Sequence, residues 1–472
     1  MNGAGGPPRP SVPILRFWGA TETVTGSRFL IDTPRARVLV DCGLFQGLKQ
    51  LRLRNWAGLP IPPETIDAVV LSHAHLDHSG YLPAIVRDGF RGPIFSTPYT
   101  KTLCEIVLPD SGRVQEEDAA YANRKGFSKH HPALPLYTEE DAVRSLARFR
   151  TVEFQSLQEV APEVGVVFHR AGHILGSAIV ELRLGGMRGR VVVFSGDLGR
   201  PWHPVLRPPE PRPSCDILLV ESTYGDRRHE DVRSLERFRD AIRRTAERGG
   251  MVVIPSFAVD RTEVVLYHLR ALMQAGEVPQ LPVWVDSPMA ISTLRVYRAA
   301  LEQRNHEVHA ALVGSDPFDP GQLIEARTME ESRAINSQPG PGIIISASGM
   351  ATGGRVLHHL LQRLPDARNT VVLVGYQAEG TRGRALLEGA REIKLLGRYV
   401  AVRAEIVDVP AFSVHADREE LLAWVGANPH APEVTYIVHG EPMASQGLRA
   451  AVEEKFGWSA VVPRYQESVR LD

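Results

Sequence analysis

Three imidazoles and one carboxylate fall within six residues in the segment Ser72-His73-Ala74-His75-Leu76-Asp77-His78. Imidazole nitrogen and carboxylate oxygen are the donors zinc accepts in catalytic sites. A straight strand or helix cannot turn all four onto one ion, but a tight loop can turn them toward two. Two ions need more ligands than this loop holds, and two later segments offer them. Gly172-His173-Ile174-Leu175-Gly176-Ser177 carries an imidazole between glycines, where backbone can approach closely. Ser195-Gly196-Asp197-Leu198-Gly199 carries a carboxylate directly after an apolar run, and a carboxylate can bridge two cations. Alone, His173 reads as a loop histidine and Asp197 as a turn residue. Following the His-rich loop in this order, they read as metal ligands, with Asp197 as the bridge.

Such residues need elements to bring them together. Short runs rich in Val and Ile, flanked by Gly, Pro or Asp, predict strands at 37–40, 68–71, 164–168, 190–194, 216–220, 251–255, 282–285, 342–346, 370–374 and 434–438. Apolar residues at helical spacing predict helices at 235–246, 262–275, 355–364 and 419–425. The alternation argues for an α/β architecture with helices covering sheets. Asp41, His73, Asp197, Glu221 and His439 each lie at or just past the end of a strand, and His173 follows its strand by a short loop. Ligands in α/β sheets gather beyond the carboxyl ends of strands, so these ends imply one shared site. The last ligand lies far beyond the first, so the C-terminal segment must return to the first domain. The expected organisation is a leader at 1–12, rich in Gly and Pro and disordered; a first domain at 13–225; an inserted α/β domain at 226–400; and the return of the first domain at 401–472.

Bulk properties bound the function. The net charge of −1 argues against wrapping of nucleic acid by a basic surface, but a two-metal site brings its own positive charge. Cys42, Cys104 and Cys215 are too far apart for a C-x-x-C metal site, and they suggest neither a disulfide framework nor an oxidising compartment; a cytoplasmic location fits. No apolar run of membrane-spanning length occurs, and no membrane is expected as a partner.

The metal-type residues together, Asp41 in Val40-Asp41-Cys42-Gly43, the loop from His73 to His78, His173 and Asp197, resemble the metallo-β-lactamase superfamily. The second half resembles its β-CASP branch in Glu221-Ser222-Thr223-Tyr224-Gly225, Phe412-Ser413-Val414-His415-Ala416-Asp417 and Val438-His439-Gly440-Glu441. The resemblance covers nearly the whole chain past the leader. It implies an αββα metallo-β-lactamase sandwich with an inserted α/β β-CASP domain, similar to the endonuclease subunit of the pre-mRNA cleavage and polyadenylation factor and its shorter bacterial relatives. It further implies two Zn2+ ions. His73, His75 and His173 would hold one; Asp77, His78 and His439 the other; Asp197 would bridge them. Asp41 would orient the ligand loop from behind. A His at position 439 resembles the RNA-processing members, whereas DNA-repair members typically carry Val.

The expected activity is a zinc-dependent ribonuclease that hydrolyses phosphodiester bonds of single-stranded RNA. A metal-bridging hydroxide would attack phosphorus and leave 5′-phosphate ends. Asp197 and Asp77 would orient it. Glu221 ends a buried strand and its carboxylate needs a partner; His415 is the natural one, aimed as general acid for the leaving oxygen. Ser348, Gly349, Thr352 and Gly353, between an apolar strand and a helix, form a glycine-rich turn suited to substrate phosphate. Turns at 287–289 and 379–384 are weaker versions of it. Self-association into a homodimer is a further expectation. The competing readings are a DNA nuclease of the same family, a small-ester or thioester hydrolase and a catalytically inactive RNA-binding scaffold.

Overall fold

A computed structural model describes residues 7–472 apart from 127, 187 and 188. Contacts divide the chain into two units. The first comprises residues up to His203, Pro208–Arg228 and His415–Asp472; the second comprises Pro204–Arg207 and His229–Val414.

The first unit is built on two seven-stranded sheets. One orders its strands as Ser468–Arg470, Ile14–Phe17, Phe29–Asp32, Arg37–Val40, Ala68–Val70, Ile94–Ser96 and Phe149–Thr151. The other runs Ala460–Val461, Val434–Val438, Ile217–Glu221, Arg190–Phe194, Ala178–Leu184, Val164–Arg170 and Gln158–Ala161. Side chains alternate across each strand, so one face of each sheet meets the other. Leu15, Phe17, Phe29, Ile31, Val38, Val40 and Val70 from the first sheet share one core with Val166, Phe168, Val180, Leu182, Phe194, Leu219 and Val438 from the second. The intervening residues of the second sheet, Ile179, Val193, Leu218, Val220 and Ile437, pack in a separate cluster with Leu421, Leu422 and Val425 of helix Arg418–Val425 and Leu448 and Val452 of helix Pro442–Phe456. The result is the αββα layering that the resemblance implied.

The C-terminal return is physical. Strand Val434–Val438 lies parallel to Ile217–Glu221, pairing Glu221 with Val438, and Ser468–Arg470 pairs antiparallel with Ile14–Phe17. Of the leader expected at 1–12, residues 1–6 lie outside the described residues. Residues 7–12 are tied down rather than loose: Arg9 pairs with Asp67 at 3.0 Å, and Arg37 donates to the Pro7 carbonyl.

The second unit holds a six-stranded, all-parallel sheet ordered Leu323–Glu325, Val283–Val285, Gly342–Ser346, Met251–Pro255, Thr370–Leu373 and Glu405–Asp408. A parallel sheet is covered on both faces, and its central strands read as unbroken apolar runs such as Gly342-Ile-Ile-Ile-Ser346. The units change over at 228/229 and 414/415 rather than at the expected 225/226 and 400/401. The cause at the second junction is strand Glu405–Asp408, which pairs with Thr370–Leu373 and so keeps residues past 400 in the inserted domain.

Candidate metal centre

Each site residue is held by backbone that the neighbouring sequence shapes. After strand Arg37–Val40 the chain turns through Asp41, at φ 57°, and Gly43. Cys42 N donates to His78 O at 2.7 Å and Leu44 N to Leu76 O at 2.8 Å, which zips this turn to the His-rich loop. A Cβ on Gly43 would sit 1.6 Å from the Asp77 carbonyl oxygen, so only glycine permits the approach. A second backbone contact fixes the opposite side. A Cβ on Gly199 would lie 1.8 Å from Gly172 O and 2.7 Å from His173 N. The Asp197 and His173 turns are therefore packed main chain against main chain.

Ligand atoms of His73, His75, His173 and Asp197 all lie within 4.8 Å of one another. His75 Nδ1 is 3.2 Å from both His73 Nε2 and His173 Nε2, and Asp197 Oδ2 is 3.5 Å from the latter two nitrogens. A second set meets the same limit: Asp77, His78, Asp197 and His439. Here His78 Nε2 lies 3.2 Å from His439 Nε2 and 3.3 Å from Asp197 Oδ1, and His439 Nε2 is 3.4 Å from Asp77 Oδ2. Asp197 thus turns one oxygen to each set. Its Oδ1 is buried and makes no hydrogen bond. A buried carboxylate oxygen left so costs several kcal/mol unless a cation faces it. Five convergent imidazoles and two carboxylates, all buried except the half-buried His75 and Asp77, are the donor set of zinc, and the residues fit that metal.

Behind the ligands, Asp41 is buried and fully bonded. Its Oδ1 accepts from Ser72 N at 2.8 Å; its Oδ2 accepts from Ser72 Oγ at 2.9 Å and lies 2.7 Å from His78 Nδ1. The Asp41 contact makes Nδ1 of His78 the donor and leaves Nε2 for the site. Two side chains that sequence reasoning did not single out do similar work. Ser72 Oγ is also 3.0 Å from His73 Nδ1, and Thr223 Oγ1 is 3.1 Å from His439 Nδ1. Both lie inside segments quoted for their neighbours: Ser72 opens the His-rich segment, and Thr223 sits in the Glu221–Gly225 motif.

Electrostatics split the two sets. Burial holds the His73 and His75 imidazoles below the ordinary histidine range. Burial also opposes charge on His78 and His439, but the carboxylates of Asp197 and Asp41 raise His78 well above that range, and Asp197 with Asp77 raise His439. Asp197 is pushed well below the usual carboxylate range despite burial, through His439, His78 and His73.

The third group comprises Asp197, Glu221 and His415. Glu221 Oε1 accepts from Leu198 N at 2.9 Å and Oε2 from Thr223 N at 3.1 Å, and Oε1 faces His415 Nδ1 at 3.2 Å. His415 is placed from two sides. Gly199 pairs with it as an antiparallel bridge and Ala416 N donates to Leu198 O at 2.8 Å, while Asp417 and Glu420 form a capping box that starts helix Arg418–Val425. Such a cap is worth about 1 kcal/mol. Glu420 also holds Arg200 at 3.0 Å, which braces the chain leaving Asp197. The ring of His415 stays 14% exposed.

The phosphate-turn residues lie in the second unit. Strand Gly342–Ser346 and helix Val356–Arg363 flank them as expected. Ser348 Oγ is 2.9 Å from Thr352 Oγ1 and accepts from Thr352 N at 3.2 Å. Gly349 is packed under Phe257, whereas nothing lies within 4 Å of a Cβ built on Gly353.

Comparison with known proteins agrees with this geometry. Residues 23–90 match the metallo-β-lactamase superfamily model, 262–386 the β-CASP domain and 399–463 a Zn-dependent metallo-hydrolase RNA specificity domain. The chain is 38% identical over 426 residues to Ribonuclease TTHA0252 of Thermus thermophilus, covering 90% of this chain and 92% of that one. It is 31% identical to transcription termination factor FttA of Methanosarcina mazei, covering 96% of this chain and 71% of that one, and 30% identical to the Pyrococcus abyssi protein of the same name, covering 96% and 70%. A crystal structure of a protein of unknown function from Enterococcus faecalis V583 shares the fold, with a TM-score of 0.52 at 13% identity over 98% of this chain and 100% of that one. Among the described residues no helix is long and apolar enough to cross a membrane. The paired ligand sets, the double-sheet sandwich, the inserted parallel domain and the 38% identity to a relative covered to 92% of its length place the chain in the β-CASP family of the metallo-β-lactamase superfamily.

Proposed function

We propose that this protein is a two-zinc ribonuclease that hydrolyses phosphodiester bonds in single-stranded RNA and leaves 5′-phosphate and 3′-hydroxyl ends. The observation that carries the reading is Asp197, whose two oxygens face two separate sets of metal-type ligands. His73, His75 and His173 would hold one ion and Asp77, His78 and His439 the other, with Asp197 between them. When bound, such a pair supplies a water of near-neutral pKa and positive charge for the non-bridging phosphate oxygens.

The remaining steps belong to this chain. Asp77 and Asp197 accept hydrogen bonds from the attacking water and fix its direction. Glu221, pinned by two backbone N–H groups, holds His415 through Nδ1, so the proton offered to the departing 3′-oxygen is the one on Nε2. Because water is the nucleophile, the RNA 2′-hydroxyl takes no part, and RNA selectivity must arise in binding. The RNA specificity domain match and the ribonuclease relative support RNA over DNA. Ser348, Gly349, Thr352 and Gly353 would contact substrate phosphate through their hydroxyls and backbone N–H groups.

The test is cleavage of a 5′-labelled single-stranded RNA and of the same sequence in DNA, by the native protein and by Asp197→Ala. RNA cleavage that disappears in the variant supports the reading. Cleavage of DNA alone moves the protein to the DNA-processing branch, and cleavage of neither by zinc-replete protein overturns it.

A further inference from the structure

Away from the metal centre, the first unit carries a cavity of about 680 Å3 whose lining includes five arginines: Arg87, Arg91, Arg144, Arg148 and Arg150. For a chain of net charge −1 this is a dense local concentration of cations. Two of the five are neutralised, Arg87 by Asp88 at 2.8 Å and Arg144 by Glu140 at 2.8 Å. The other three are not. Among the described residues Arg91, Arg148 and Arg150 have no carboxylate at ion-pair distance, and their hydrogen bonds go to backbone carbonyls. Arg91 donates to Val86 O and Phe90 O at 3.0 Å, Arg148 to Arg91 O at 2.7 Å and Arg150 to Phe149 O at 2.8 Å. Each uses Nη1 alone, leaving Nε–H and Nη2–H donors of the five N–H groups that a guanidinium carries. The guanidiniums are anchored but unneutralised, a state suited to phosphate oxygens.

The cavity's position relative to the ligand loop follows from strand register. Arg91, Gly92 and Pro93 lead into strand Ile94–Ser96, and Arg150 lies in the edge strand Phe149–Thr151. Val70 pairs with Phe95 and Ser96 with Thr151, so the loop that begins at Ser72 leaves the other end of the same parallel strands. At ~3.3 Å per residue and ~4.8 Å per strand, the straight line from the cavity to the start of the His-rich loop is about 10–20 Å, but it runs through the sheet, so a strand that reaches both must pass around the edge strand Phe149–Thr151.

We infer that this arginine cavity binds the sugar–phosphate backbone of single-stranded RNA at a distance from the bond being cut. The inference rests on the proposed ribonuclease reading. The cavity has no aromatic side chain in its lining, so it grips phosphates without reading bases.

The test measures equilibrium binding of fluorescein-labelled RNA 6-mers and 20-mers, and a DNA 20-mer, by anisotropy across a salt series. The proteins are Asp197→Ala, expected to bind without turnover, and the same protein carrying Arg91→Gln, Arg148→Gln and Arg150→Gln. Loss of three phosphate contacts should weaken 20-mer binding by about tenfold or more at moderate salt, and reduce the slope of log K against log salt by ~2. The 6-mer should bind equally to both proteins, and the DNA 20-mer should lose as much as the RNA. Thermal melting checks folding, and Arg150→Gln alone, an exposed edge-strand change, stands in if the triple variant melts early. A 20-mer that binds both proteins equally, with the same salt slope, overturns the inference. If native protein still cleaves RNA in that case, the ribonuclease reading survives it. If no RNA binds or is cleaved at all, both fall together.

Discussion

Asp41→Asn separates the role of a carboxylate behind the metal centre from that of the ligands themselves. Asp41 accepts three contacts of 2.7–2.9 Å, two from Ser72 and one from His78, in a pocket that leaves it 2% exposed. Asparagine has nearly the same shape but only one acceptor oxygen. If that oxygen keeps Ser72 N, the amide N–H2 faces His78 Nδ1, which must then accept and place its proton on Nε2. That proton points at Asp197 Oδ1, where a cation would lie. A lost charge-assisted hydrogen bond is worth about 1.5–3 kcal/mol, and partners of metal-binding histidines usually govern 10–100-fold in affinity. The second zinc, at His78, should therefore bind about 10–100-fold more weakly. The first, at His73, His75 and His173, should suffer less, because Asp41 reaches it only through Ser72. Chelator competition on both proteins resolves the two affinities. An Asn variant whose two zinc affinities both stay within twofold of wild type would refute the tautomer argument.

Four further outcomes are expected. Gly199→Ala places a methyl 1.8 Å from Gly172 O, and the required backbone shift should cost about 2–3 kcal/mol in urea unfolding and displace His173, seen as substoichiometric zinc. Zinc loading should be pH-dependent in one set more than the other. His78 and His439 hold protons above the ordinary range and must release them, so their set gains affinity as pH rises, whereas His73 and His75 are already held neutral by burial; calorimetry in buffers of different ionisation heat would count those protons. His169 is raised to about 9 by Glu181 and Glu210 against the opposing effect of burial. Its folded pKa exceeds its unfolded one, so its contribution is complete below about 6.5 and lost as pH rises through 9; with solvent screening it amounts to ~2 kcal/mol, and the stability gap between wild type and His169→Gln should shrink over that window. His415→Ala should keep both zinc ions yet lose ~100-fold or more in turnover, checked by metal analysis beside single-turnover cleavage.

The metal-type residues were legible because their signal is local. A strand that ends in His, Asp or Glu announces itself within a few residues, and strands at 37–40, 190–194, 251–255, 342–346 and 434–438 form where the Val and Ile runs predict them. The helices at Asp231–Glu247, Arg261–Gln274, Val356–Arg363 and Arg418–Val425 also form at the predicted apolar spacing, with small changes at their ends. What stayed hidden depends on contacts distant in sequence. Strand Glu405–Asp408 is half-buried and carries a charged residue at each end, so nothing local marks it as the sheet's last strand or moves the domain junction to 414/415. Helix Pro98–Lys125 encloses Pro109 and buries only scattered residues along its 28, which blurs its period. Gly43 and Gly199 look like ordinary turn glycines until the main chain they touch is known. The arginines at 87, 91, 144, 148 and 150 come from two separate stretches, and only folding puts them around one cavity.

The most direct measurement of the central claim is zinc titration into chelator-stripped protein while cleavage of single-stranded RNA is followed. Saturation is expected at two equivalents per chain, with cleavage appearing with the second, and neither result in Asp197→Ala. Full cleavage with one equivalent, or undiminished cleavage by Asp197→Ala, would contradict it.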